Sequence, residues 1–72
     1  MAIVPDLLQI KATVERMEKR YSAQNGDVAQ VLWAAYVKVK VRFETDLSDE
    51  RDIWLSRAAA LMLLKYQLEV SK

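Results

Sequence analysis

Leu7, Ile10, Val14, Met17 and Tyr21 recur at intervals of three, four, three and four residues, and Ile3 continues the series backward. That rhythm is the signature of an α-helix with one apolar seam. It predicts a helix over residues 5–24. Pro5 suits the first helical position, where a missing N–H costs nothing. Asp6 follows in the first turn, at the positive end of the helix dipole. Lys11, Thr13, Glu18 and Arg20 flank the seam, and Glu15 precedes Lys19 by four residues in the favourable order for an ion pair. About two and a half heptads are too few for a free-standing coiled coil, so this helix is read as one member of a bundle.

Gln24-Asn25-Gly26-Asp27 is the clearest break. Gly26 can close the first helix in the left-handed conformation, and Asp27 can cap the second, with Gln30 three residues on. So short a link makes the two helices antiparallel neighbours.

The next segment, 28–44, supports two readings. As a helix it places Val28, Val31, Leu32, Ala35, Val39 and Phe43 on one stripe, with Trp33 pointing away from it. Yet Val37 to Glu44 alternates apolar and charged residues, the period of a half-buried strand. A strand over 37–43 has no mate in the chain and would have to pair across a dimer. The helical reading is preferred, because no Gly or Pro interrupts the segment and no second strand is visible.

Thr45, Asp46 and Ser48 are competent helix caps, and Asp49, Glu50 and Asp52 load the next first turn with negative charge. The third helix is expected over 49–70. It carries two apolar seams. Trp54, Leu61, Leu64 and Leu68 form one, with Arg57 filling its gap; Leu55, Ala59, Met62, Tyr66 and Val70 form the other. A helix apolar on two faces packs against two neighbours. Ala58, Ala59 and Ala60 let a neighbouring backbone approach closely.

Composition then limits the chemistry. The 72 residues include no Cys and no His, with one Gly and one Pro. That removes disulfides, thiolate nucleophiles, the commonest general base and the commonest metal ligands. It also removes a glycine-rich phosphate loop. The acidic group Asp46, Asp49, Glu50 and Asp52 reads as helix-start electrostatics rather than an acid–base pair or a cation site. No cofactor is expected. The longest unbroken apolar run, Ala58 to Leu64, is far short of the roughly 18–20 residues that cross a bilayer. With no basic-then-apolar leader at the start, the expectation is a cytoplasmic chain with no membrane partner.

The apolar share, 53%, exceeds the roughly 45–50% usual for soluble domains, in a short chain that has no disulfide or metal to staple it. The sequence therefore predicts one all-α domain over 1–72, a three-helix bundle completed by self-association, most simply as a dimer. The function expected is non-enzymatic: an adaptor or small regulator that works by protein–protein binding, to itself and to another protein. The interface candidates are Trp33, Trp54, Leu55, Arg57, Ala59, Leu61, Met62, Leu64, Tyr66 and Leu68, with Arg57 expected to meet a carboxylate or carbonyl across that interface. The alternative is a dimeric nucleic-acid-binding regulator, in which Lys38, Lys40 and Arg42 line one face of the strand 37–43. A net charge of only +1 weighs against it.

Overall fold

The computed structural model describes residues 6–71. Three helices, α1 (Leu7–Ser22), α2 (Asp27–Asp46) and α3 (Glu50–Val70), take up 86% of those residues. No strand occurs among them, and 37–43 lies wholly inside α2. The strand alternative is therefore corrected. Val37, Val39 and Val41 cost a helix only a few tenths of a kcal/mol each, whereas a strand with no mate would leave its backbone groups unpaired.

Each helix start differs by a residue or so from the sequence reading. Asp6 is the cap of α1, not part of its first turn: its backbone is extended and its carboxylate accepts the Gln9 N–H at 2.8 Å. The placing of Pro5 and Ile3 lies outside the described residues. Asp27 is the first residue of α2 rather than its cap; Gly26 precedes it with φ 114° and ψ 151°. Gly26 thus uses a conformation other residues avoid, but to turn into α2 and not to close α1, which ends at Ala23 in the right-handed region. Asp49 caps α3 by accepting the Arg51 N–H at 2.8 Å. Thr45, still inside α2, turns its hydroxyl back to the Val41 carbonyl at 3.0 Å instead of capping α3.

Connections of four and three residues fold the chain up, down and up, so α1 and α3 run parallel and α2 lies antiparallel to both. Helix α3 packs along both others, while α1 and α2 meet over a shorter stretch. The core holds Ile10, Val14 and Tyr21 of α1, Tyr36 of α2, and Leu61 and Leu64 of α3. Val14 and Leu61 are fully buried.

Helix α2 is rotated from its expected setting. Its buried residues are Ala29 and Tyr36, with Leu32, Trp33 and Phe43 half-buried beside them. Val28, Val31, Ala35 and Val39 are exposed. The aromatic rings explain the turn: they bury far more area than valine. The Tyr36 hydroxyl also finds a partner inside, and its ring lies 5.1 Å from that of Trp33.

Candidate functional site

Two features could serve a function: a charged network inside the bundle and an apolar face outside it. Both are set by α3, whose two seams point in opposite directions.

The inner seam carries Arg57, 7% exposed. Its Nη2 donates to both Glu18 oxygens, at 2.7 and 2.8 Å. The Tyr36 hydroxyl donates to Glu18 Oε2 at 2.5 Å. Lys40 Nζ stands 3.8 Å from the same oxygen, and Glu44 lies 3.8 Å from Arg57 Nη1. The guanidinium also stacks on Trp54, 4.0 Å from the ring centroid. One carboxylate thus joins all three helices. Lys11 sits on the same ring at 5.6 Å and pairs with Glu50. The partner that the sequence reading sought for Arg57 in another subunit is Glu18 of the same chain.

Burial pushes the Glu18 carboxyl up, but hydrogen bonds from Arg57 and Tyr36, with the charges of Arg57 and Lys40, outweigh it. The group is held below its ordinary value of 4.5. Burial first, and then the hydrogen bond to Glu18, raises Tyr36 above its ordinary value of 10.0. Burial works against the Arg57 charge, but the hydrogen bond to Glu18 reverses that and raises it. Two stability losses follow. The unfolded chain takes up a proton at Glu18 near pH 4.5, before the folded chain does, so unfolding gains as pH falls below that point. Above pH 10 the unfolded Tyr36 ionises while the folded one resists, so stability falls there as well. Urea melts from pH 3 to 11 are expected to show both flanks, with Tyr36→Phe flattening the alkaline one. A wild-type stability unchanged across pH 9–11 would contradict the role given to Tyr36.

Glu18, Tyr36 and Arg57 are engaged with one another across the three helices, which makes the network a clasp between them. Three of the four residues in the acidic group are likewise engaged: Asp49 caps α3, Glu50 pairs with Lys11, and Asp46 lies 3.9 Å from Arg42. Among the described residues no group of acidic side chains is placed to hold a metal ion. No helix among them is long and apolar enough to cross a membrane.

The outer seam has the opposite character. Leu55, Ala59, Met62, Tyr66 and Val70 are all exposed, Met62 to 65% and Tyr66 to 62%. From Ile53 to Leu64 the only charged residue is Arg57, which faces inward, so the outward surface over those three turns carries no charge. Leu63 widens the face towards α2, where Val28, Val31 and Val39 continue it. On the other flank, a groove of about 600 Å³ opens between α1 and α3, floored by Ile10 and Ala58 and edged by Gln9, Thr13 and Leu55.

The ten interface candidates therefore divide. Leu55, Ala59, Met62 and Tyr66 stand on this outer face. Arg57, Leu61 and Leu64 are buried within the chain itself, and Trp33, Trp54 and Leu68 are half-buried against its core. Leu63, Val28 and Val31 belong to the face without having been singled out. The three cations of the basic stripe are not brought together. Lys38 and Lys40 lie about 200° apart around a helix; Lys40 turns in to Glu18, and Arg42 pairs along its own helix with Asp46.

Comparison of the chain with protein-family models, with curated proteins and with solved structures yields no match.

Proposed function

We propose that this chain is a non-enzymatic helical interaction module that works by binding protein through the outer face of α3, a second copy of itself included. The observation that supports this most directly is the charge-free apolar surface between Asp52 and Lys65 on a helix whose other seam is already buried. Isolated exposed apolar residues are ordinary; a continuous apolar stripe, widened by a second helix, marks an interaction surface. The stripe also offers what interface centres favour, with tyrosine and methionine present and charged residues absent. Sedimentation equilibrium at micromolar concentration tests the reading. A species of at least twice 8.3 kDa is expected. A clean monomer up to about 100 µM, with Met62→Glu indistinguishable from wild type, would refute self-association.

A further inference from the structure

We infer that the crevice between α1 and α3 binds an acidic amphipathic helix of a partner protein, with apolar side chains seated over Ile10 and Ala58 and a carboxylate between Arg20 and Lys65. Apart from Leu55 at its edge, this surface is separate from the outer seam of α3. Helix spacing is the first reason. The apolar groove takes in Thr13 of α1 and Ala58 of α3. Seven residues further along each helix stand Arg20 and Lys65, which line a smaller pocket of about 90 Å³ with Tyr21, Gln24 and Glu69. A heptad returns to the same face of a helix within about 20°. The two helices run parallel, so both openings belong to one crevice, apolar at one end and cationic about 10 Å further along.

Charge is the second reason. Lys11, Lys40, Arg42 and Arg57 each face a carboxylate of this chain. Arg20 and Lys65 are exposed and have no ion-pair partner among the described residues. Arg16 is equally unpaired and stands on the same rim, three residues beyond Thr13 and four before Arg20. Glu69 lines the pocket but pairs with neither cation. Three cations against one carboxylate leave the rim a surplus of positive charge, and the arginine fork suits a carboxylate held by two parallel bonds.

A buried phenol is the third reason. Tyr21 is 7% exposed, and its hydroxyl makes no hydrogen bond within the described residues. Nor is that oxygen sealed in: Arg57 Nε is the one buried side-chain polar atom without a partner among those residues. The hydroxyl therefore reaches open space, and Tyr21 lines the pocket between Arg20 and Lys65. A carboxylate held there accepts the hydrogen bond that a tyrosine in a core ordinarily donates. The apolar end of the crevice favours a peptide over a nucleic acid. A phosphate backbone would satisfy the cations and leave Ile10 and Ala58 uncovered, whereas an amphipathic helix fills both ends.

The probe is a fluorescein-labelled helical peptide of about 20 residues. It carries two leucines four apart and, on the same face, a glutamate one heptad before and one heptad after them, so that either docking direction is served. By fluorescence anisotropy at about 50 mM salt, the full chain should bind it at least tenfold more tightly than the same peptide with both glutamates changed to glutamine. Arg20→Gln combined with Lys65→Gln should abolish that preference. Thr13→Phe, which fills the groove, should weaken both peptides. All three positions are exposed, so the variants should keep the helix content of wild type by circular dichroism. No saturable binding up to about 1 mM peptide, or a glutamine peptide that binds as well, overturns the inference. So does a single-stranded oligonucleotide of equal charge that binds more tightly than the peptide and is released by the double substitution, which would make the crevice a phosphate site. Self-association is read separately by sedimentation, and none of these outcomes bears on it.

Discussion

Glu18→Gln is expected to cost about 3–5 kcal/mol, the range found when one member of a buried ion pair is removed. The substitution keeps the shape of the side chain and removes only its charge. Arg57 then remains 7% exposed with no full counter-charge, and its Nε has no hydrogen-bond partner to begin with. Glu44 lies too far away and too exposed to replace Glu18. A core of this size supplies about 3–5 kcal/mol in all, so the variant should be largely unfolded at room temperature by circular dichroism. Tyr36→Phe removes one hydrogen bond to a charged acceptor and should cost about 1.5–3 kcal/mol. Replacing both charges, as Glu18→Leu with Arg57→Met, removes the desolvation cost along with the attraction and should recover much of the stability. Melting of Glu18→Gln within a few degrees of wild type would show that water reaches Arg57 and that the clasp carries little.

The same pair shows how far the sequence could be read. Arg57 is legible as an anomaly, because it fills a gap in an apolar seam and must have a partner. Glu18 is not, because on a helical wheel it flanks the seam, as solvent-facing charges do. The information lies in the relation between two helices. Lys11 and Glu18 are seven residues apart on α1, and Glu50 and Arg57 are seven apart on α3. Their signs are reversed, and the helices run parallel, so Lys11 meets Glu50 and Glu18 meets Arg57. Running α3 the other way would set Lys11 against Arg57 and Glu18 against Glu50. A pattern of this kind selects one orientation of packing, but it becomes visible only once the bundle's topology is known.

The setting of α2 escaped for a different reason. Five valines and an alternating charge pattern dominate its sequence, and both pull the eye from Trp33 and Tyr36. Valine spacing alone puts Val28, Val31 and Val39 inward. Packing favours the larger gain from Tyr36 and Trp33 and leaves those valines outside, beside the outer face of α3. The double seam of α3, by contrast, was plain in the sequence. Two apolar series on opposite sides of one helix need no tertiary knowledge to detect. What they could not reveal was which seam the chain would bury itself.

Leu61 and Met62 make that choice testable, since they are neighbours in sequence with opposite expected behaviour. Leu61 is fully buried among the core side chains that include Val14. Leu61→Ala should therefore cost about 2–5 kcal/mol, the lost transfer energy plus the cavity left behind. In a chain this small that shifts the melting temperature by some 10 °C or more. The loss belongs to the single chain, so the shift from wild type should be nearly the same at 5 and 200 µM protein. Met62 is 65% exposed. Met62→Lys breaks no contact inside the chain and should change intrinsic stability by no more than about 0.5 kcal/mol. It places a charge at the centre of the outer seam, however, and a self-associating protein gains stability with concentration. Wild type should therefore melt higher at 200 µM than at 5 µM, and Met62→Lys should melt at one temperature throughout. If Leu61→Ala were tolerated while Met62→Lys unfolded the chain at every concentration, the assignment of the two seams would be reversed. The inner face of α3 would then be the one turned towards a partner.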